Sequence, residues 1–275
     1  MFYSKALLTA TYKEGRPGPL TAEHKKAEHH RFKTQYLFKN TKIPKDLYVS
    51  RLIQHFLIIK GIETQLQTLS LKGKSEINPF FALSYLQHLW RTPGIQSDLH
   101  QLGVNTDKIN DHQIAQTTKS YLKKIEELTP KTLLAHFLLH VAGFMHGGTI
   151  IRSKYIEPSN QLTDYQIATC QYDFSSAAPS LSAKRYSPLT VYHDMMKQVD
   201  TIALEDSEYE EILEQGKTVY ETMSSIYDDL CNMHGLFPHY SLAVVSVSIA
   251  SIVLILKLLA DFSNPMNPTM SPGPM

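Results

Sequence analysis

The sequence predicts an all-α fold, a helical bundle followed by a C-terminal membrane helix. Apolar residues recur at the spacing of one helix face through most of the 275 residues. No run alternates apolar and polar residues convincingly enough to form a half-buried strand. An uncharged apolar stretch near the C-terminus has about the twenty residues that a bilayer-spanning helix requires. These observations together exclude sandwich, barrel and α/β architectures.

Helix start signals and apolar stripes place the individual helices. Pro44, Pro79 and Pro130 stand where helices begin, and proline is favoured in the first turn because its missing N–H has no helical partner there. Residues 151–188 show no sustained period and are predicted to form a long loop with short turns. The predicted helices occupy residues 44–66, 78–90, 106–125 (capped by Thr106-Asp107), 129–148, 189–202 and 206–233.

The periodicity divides the chain into a helical domain (residues 1–235), a transmembrane tail anchor (236–263) and a disordered tail (264–275). Residues 242–256 carry no charge, and Lys257 lies where a long side chain reaches the membrane interface. A buried core helix is the alternative for this stretch. The position after a complete helical domain favours a membrane anchor, with the domain facing the cytosol. The last residues are rich in Pro, Met and Ser, a composition typical of disorder.

The cysteine count and the net charge indicate the redox state of the thiols and the kind of partner to expect. Cys170 and Cys231 are too few for a disulfide framework, and nothing at the N-terminus resembles a signal peptide, so both are expected to be reduced thiols. The net charge is +1 and the basic residues are scattered. Nucleic acid is therefore not expected as a partner.

Residues 133–148, which read LLAHFLLHVAGFMHGG, combine helix-forming sequence with glycines where a helix disfavours them. Each interior glycine costs about 1 kcal/mol relative to alanine. Gly143, Gly147 and Gly148 therefore indicate backbone that bends or lies against a flat group, since no Cβ stands in the way.

A second pattern lies near the N-terminus. His24 and Glu28 are one helical turn apart and share a helix face. A neutral imidazole can bind iron through one nitrogen while the other donates to a carboxylate or water that fixes the ring. The His-x₃-Glu spacing therefore marks His24 as a candidate metal ligand.

The two patterns together resemble the haem oxygenase family, over residues 20–230. That family has a proximal histidine segment upstream and a distal helix whose glycines lie over the haem face. The resemblance implies an all-α bundle that binds haem b, with His24 as the proximal iron ligand and Glu28, Gly143 and Gly147 also at the haem. The matching residues are His24, Ala27, Glu28, Phe32, Leu133, Ala135, His136, Gly143 and Gly147.

The sequence departs from the family pattern on the distal side of the haem. Phe144 occupies the position of the family's distal aspartate, which holds a water, and His140 replaces an arginine one turn earlier. A tyrosine of the same water network falls at Ile59. His146, between the glycines, is expected either to order a water or to bind the iron at its sixth position.

The positions that grip the haem propionates in the family also differ. They read Leu189 and His193 here. Lys184 and Arg185, or Arg16 upstream, are the basic residues that would substitute for them.

Three functional hypotheses follow. The first is a haem oxygenase that opens haem to biliverdin, CO and iron with O2 and with electrons from an external reductase of the flavoprotein or ferredoxin type. The second is a haem-binding protein for storage, sensing or transfer, in which the altered distal side no longer oxygenates. The third is a non-haem metal centre held by His136, His140 and Glu63. Family resemblance favours a structural role for His136, and His29, His30 and His88 are expected to be solvated or capping.

Overall fold

The helices account for nearly all regular structure in the computed structural model, which describes residues 1–73, 75–180 and 188–236. The π-helices are Phe32–Leu37, Gly143–Gly147 and Arg152–Ile156, and short 3₁₀ helices lie at Leu86–His88, Thr106–Lys108, Asp111–Gln113, Cys170–Tyr172 and Ser175–Ser180. The α-helices are α1 (Tyr3–Thr11), α2 (Ala22–Glu28), α3 (Lys45–Leu71), α4 (Asn78–Phe81), α5 (Thr92–Gln101), α6 (Gln116–Glu127), α7 (Pro130–Ala142), α8 (Gly148–Ile151), α9 (Glu157–Asn160), α10 (Pro188–Val199) and α11 (Asp206–Met233).

The long helix α11 is the element against which the others pack. Helices α1, α2, α6 and α7 contact it, while α3 packs against α5, α6 and α7. Gly216 lets α11 approach its neighbours closely, because a Cβ there would meet Ala10 of α1 at 2.7 Å and Leu139 of α7 at 3.4 Å. The all-α prediction is confirmed for the described residues, whose one β feature is an isolated bridge between Tyr12 and Leu20.

The turn closed by that bridge positions the start of α2. Thr21 caps α2 by accepting from the backbone N–H of His24 at 3.4 Å. The Thr21 N–H donates to the Thr11 carbonyl at 3.1 Å, and its hydroxyl donates to the Ala10 carbonyl at 2.9 Å. The end of α1 is thereby fastened to the first turn of α2, beside His24.

Helix α7 continues through two π-helices and two short α-helices to Asn160. Thr129 accepts from the N–H of Thr132, and Pro130 occupies the first turn, as the sequence predicts. The prediction of a loop from residue 151 is wrong, because the wider π turn at Arg152–Ile156 carries the helix on and Pro158 falls in the first turn of α9, where it needs no N–H. Irregular structure with 3₁₀ turns begins only after Asn160.

The predicted helix start at Thr106 is also wrong. Residues 106–113 form two 3₁₀ turns, and α6 begins at Gln116. The physical reason is a tertiary contact with α3. Gln54 donates to the Gln113 carbonyl at 2.8 Å and accepts from the Ala115 N–H at 2.9 Å, which holds Ile114 and Ala115 extended and delays the start of α6.

One described helix, Pro130–Asn160, is long and apolar enough to span a bilayer, but 61% of its apolar window is buried within the protein. It is the core helix that carries the glycines. The predicted tail anchor and disordered tail lie outside the described residues from residue 237 onward. Helix α11 ends at Met233, and Gly235 takes a φ of +62°, the left-handed conformation common after a helix.

Candidate functional site

Gly143 and Gly147 present a bare stretch of backbone to open space. Both lie in the π-helix Gly143–Gly147, and a Cβ built on either would meet no atom within 4 Å. Internal packing therefore does not require these glycines. Gly148 differs, since a Cβ there would collide with the ring of Tyr172. Only Gly148 is explained by contacts inside the protein, so the other two are suited to a flat group from outside.

His24 has one ring nitrogen fixed and one available. Its Nδ1–H donates to the carbonyl oxygen of Thr11 at 3.3 Å, which leaves the Nε2 lone pair free to bind a metal. The ring stacks on Tyr220 of α11 with centroids 4.3 Å apart and meets Tyr12 edge-on at 6.5 Å. Burial lowers the pKa of His24, and the imidazole is accordingly neutral near pH 7.

Glu28 does not hold the imidazole as the sequence suggested. Its side chain is exposed, and the Thr11 carbonyl takes the position of the hydrogen-bonding partner. The Glu28 carboxylate acts on His24 only through its charge, which raises the pKa of the ring slightly against the larger effect of burial.

Three tyrosines that the sequence did not single out connect the histidine to the glycine helix. The hydroxyl of Tyr220 donates to the Thr11 hydroxyl at 2.9 Å. Burial, and then the nearby Tyr12, raise the pKa of both Tyr220 and Tyr192, so the three phenols lie in one cluster. Tyr192 of α10 belongs to this cluster and meets the ring of His146 edge-on at 4.9 Å. The sequence offered no signal beyond the position of Tyr220 on the apolar stripe of α11, which predicts burial and not a role at a site.

Phe144 and His146 face different surroundings. Phe144 is only 4% exposed and packs against His55 of α3 and Tyr172, with ring centroids 6.1 Å away in each case. His146 is exposed and lies against α10, where burial and then the charge of His193 lower its pKa. Neither side chain supplies a carboxylate to the distal helix.

His136 and His140 belong to a buried hydrogen-bond chain. Nε2–H of His136 donates to Oε1 of Gln215 at 3.2 Å, so its Nδ1 accepts from the Tyr121 hydroxyl at 2.5 Å. Nε2 of His140 lies 3.5 Å from the same hydroxyl. Burial lowers the pKa of His136 to about 3 and that of His140 to about 4, so both rings are neutral.

The proposed non-haem centre of His136, His140 and Glu63 is wrong. The Glu63 carboxylate accepts from the backbone N–H groups of Arg91 at 2.5 Å and Thr92 at 3.1 Å, where it caps the start of α5. Within the described residues, no group of three or more His, Cys, Asp or Glu side chains is arranged to hold a metal ion.

The positions aligned with the family's propionate ligands lie on α10. Leu189 is 47% exposed, and the exposed His193 lies next to Tyr192. Arg16 is paired with Glu14 at 2.6 Å on the surface. Lys184 and Arg185 lie outside the described residues. The aligned distal position Ile59 is a fully buried core residue.

His29 and His30 differ in burial, although the sequence predicts that both are solvated or capping. His30 is not solvated but buried, because its Nε2 bonds to the Asp228 carboxylate at 3.1 Å and its ring lies near Tyr227. His29 is exposed, as expected. Cys170 and Cys231 are both free thiols, the second of them buried.

A comparison with known families decides the interpretation of this geometry. The sequence profile of the heme oxygenase family matches residues 20–229, which include His24 and the whole glycine-bearing helix. The chain belongs to the haem oxygenase family.

The haem oxygenase fold is equally clear from solved structures. The heme oxygenase of Leptospira interrogans has a TM-score of 0.63 at 23% identity, covering 82% of this chain and 98% of that one. Heme oxygenase-2 from Synechocystis sp. PCC 6803, in complex with heme and NO, has a TM-score of 0.67 at 17% identity, and the match covers 89% of this chain and 91% of that one. Heme oxygenase 2 from Chlamydomonas reinhardtii, without heme, has a TM-score of 0.62 at 21% identity, and the match covers 83% of this chain and 97% of that one. No curated protein matches the sequence.

Proposed function

We propose that this chain binds haem b between α2 and the π-helix Gly143–Gly147, with His24 as the axial ligand of the iron. We further propose that it opens the ring slowly to biliverdin, CO and iron, with O2 and electrons from an external flavoprotein or ferredoxin reductase. The observation that carries the proposal is the open space facing Gly143 and Gly147, where a Cβ would meet nothing. Family membership supports the assignment.

The residues present fit a haem. The neutral His24 offers its Nε2 because the Thr11 carbonyl holds Nδ1–H, and stacking on Tyr220 fixes the plane of the ring. The bare helix backbone suits one face of a porphyrin. When bound, the iron supplies the activation of O2 that a protein side chain cannot.

The residues of the distal side explain why the proposed reaction is slow. Positioned groups that deliver protons typically accelerate a step by about 10²–10⁴-fold. Phe144 holds no proton and orders no water. The chain from His140 through Tyr121 to His136 ends at the half-buried Gln215, and both of its histidines stay neutral near pH 7.

The second candidate function, haem storage, sensing or transfer without ring opening, is favoured by one observation. Phe144 replaces the family's acid and is buried against His55 and Tyr172, so its position offers no polar atom to bound O2. The two functions share the haem site and differ in turnover.

Wild-type protein with haem, reductase and O2 is expected to form biliverdin about 10²-fold more slowly than the Phe144→Asp variant. The reason is that proton delivery by a positioned group typically accelerates a step by about 10²-fold or more. Biliverdin and CO are measured together. Phe144→Asn is the matched control, because asparagine has the shape of aspartate without an ionisable carboxyl group. Equal rates for the two variants would show that a carboxylate at this position does not limit the reaction. Haem binding with no biliverdin from any variant would contradict ring opening and leave the second function.

We also propose that residues 236–263 anchor the domain in a membrane with the domain facing the cytosol. The proposal rests on the uncharged apolar run at residues 242–256, which follows the end of α11 at Met233.

A chain truncated after His239 is expected to remain soluble and to bind haem with unchanged affinity, since the site residues precede the cut. The full chain is expected to stay with membranes after washing in high salt and alkali. Fractionation and haem titration measure the two properties. Aggregation of the truncated protein would mean that residues 240–263 belong to the core of the domain.

A further inference from the structure

Lys33 is a half-buried cation in the π-helix Phe32–Leu37, which follows α2 along the chain. Its Nζ donates to the carbonyl oxygen of Ala27 at 3.3 Å and stands over the ring of Tyr227, 5.8 Å from the ring centroid. An ammonium has three N–H donors. Among the residues that the structure describes, no carboxylate lies within salt-bridge distance of this group, so it keeps donors for a further acceptor.

The charges around Lys33 do not compensate its own. Burial lowers the pKa of the ammonium, and Arg51 adds to this effect, while Tyr227 and the exposed Glu28 act against it. A cation that is partly removed from water without a counter-charge carries a desolvation cost. A carboxylate from outside the chain would offset that cost, and it would gain charge-assisted hydrogen bonds.

Helix α11 fixes the distance between Lys33 and the proposed iron ligand. His24 stacks on Tyr220 of this helix with centroids 4.3 Å apart, and Lys33 stands over Tyr227. The two tyrosines are two turns apart on one face, a separation of about 10 Å at the rise of an α-helix. The ammonium therefore lies too far from His24 to meet the iron and is placed toward the edge of a porphyrin, where the propionates are.

Lys33 also lies between the two walls of the proposed haem cleft. Burial is the largest cause that lowers the pKa of His24 and of His55, and the positive charge of Lys33 adds to it at both rings. His55 meets the ring of Phe144 in the distal π-helix, with centroids 6.1 Å apart. The ammonium is thus near the proximal ligand and near the residues behind the distal helix.

The other basic positions around the cleft are less suited to hold a carboxylate. Arg16 is exposed and already paired with Glu14 at 2.6 Å, and Leu189 of α10 carries no charge. Lys25 and Lys26 of α2 are exposed, so water already compensates them and an ion pair there gains little.

We propose that Lys33 binds a propionate of the haem and thereby fixes the orientation of the porphyrin within its plane. This role rests on the proposed function, because it requires a haem bound to His24. Haem b carries two propionates, which flank one meso carbon. Holding one of them at Lys33 turns that edge of the ring toward Tyr227 and so selects the meso carbon that the distal helix faces.

The test compares haem b with its dimethyl ester, which has the same iron and ring but no carboxylate. Soret titration of the full chain measures the affinity for each. Lys33→Met keeps the length of the side chain and removes its charge. It should bind haem b about tenfold more weakly and the ester as wild type does, since a hydrogen bond to a charged group contributes about a factor of ten or more. Lys33→Arg should retain the wild-type preference.

Lys26→Met is the matched control, because Lys26 is an exposed lysine of α2 and its loss removes the same charge. This variant should bind both porphyrins as wild type does. Weakening of both porphyrins by the same factor in Lys33→Met, or of neither, would overturn the role of Lys33 and leave the haem site in place. Wild type that binds neither porphyrin would overturn the proposed function and this role with it. If Lys33→Met does not fold, Lys33→Gln takes its place with the same expected result.

The in-plane orientation has a measurement of its own. The haem methyl resonances in the proton NMR spectrum of the ferric cyanide complex depend on how the ring is turned about its axial ligand. Lys33→Met should change this pattern or add a second set of signals, whereas Lys26→Met should not. The wild-type pattern in Lys33→Met would contradict an orienting role for Lys33.

Discussion

Replacing His24 with alanine is expected to leave a folded protein that has lost the axial nitrogen of its haem. The loss in affinity should exceed the roughly 10–100-fold that removal of a ligand's hydrogen-bonding partner typically costs, since the ligand itself is removed. Folding should survive because the ring is partly exposed and its stacking on Tyr220 contributes only about 0.5–1.5 kcal/mol. Titration with haem, followed at the Soret band, measures the change.

His29→Ala is the matched control for this experiment. His29 lies five residues along the chain, is exposed, and should bind haem as the wild type does. A His24→Ala variant with the wild-type Soret spectrum and affinity would show that His24 is not the ligand. A variant with imidazole-rescued spectra would support the assignment, because free imidazole can occupy the vacated position.

Gly143→Ala and Gly148→Ala are expected to act in opposite directions on stability. At Gly143 the added methyl meets no atom and the residue has helical φ and ψ of −59° and −41°, so the haem-free protein should gain about 0.5–1 kcal/mol. At Gly148 the methyl collides with the ring of Tyr172, and overpacking typically costs about 1–3 kcal/mol.

Haem affinity should fall in Gly143→Ala, the more stable of the two variants, and should change little in Gly148→Ala. In Gly143→Ala the methyl stands where the porphyrin face would lie, and an overpacking cost of about 1–3 kcal/mol corresponds to roughly 5–150-fold weaker binding. Gly148→Ala should bind haem nearly normally once folded. Thermal unfolding without haem and Soret titration are the two measurements. A more stable Gly143→Ala variant with undiminished haem affinity would place the haem elsewhere.

Much of the helical framework could be predicted from sequence because its signals are local. The cap at Thr129, Pro130 in the first turn and the apolar stripe of α11 all report on one helix and its solvent. The unexpected start of α6 shows the limit. Gln54 lies in another helix, and no local pattern indicates that its amide binds the Gln113 carbonyl and the Ala115 N–H on either side of the extended residue Ile114.

The candidate site likewise has features that the sequence predicts and features that depend on tertiary contacts. The sequence by itself determined the all-α class, the family resemblance and the unusual glycines, because these depend on residue type and spacing along one chain segment. Only the tertiary structure decided that Thr11 rather than Glu28 holds the imidazole, that Phe144 is buried against His55, and that Glu63 caps α5 instead of joining His136. The physical reason is that hydrogen-bond partners and burial depend on which helices meet, and residues far apart in sequence determine those contacts.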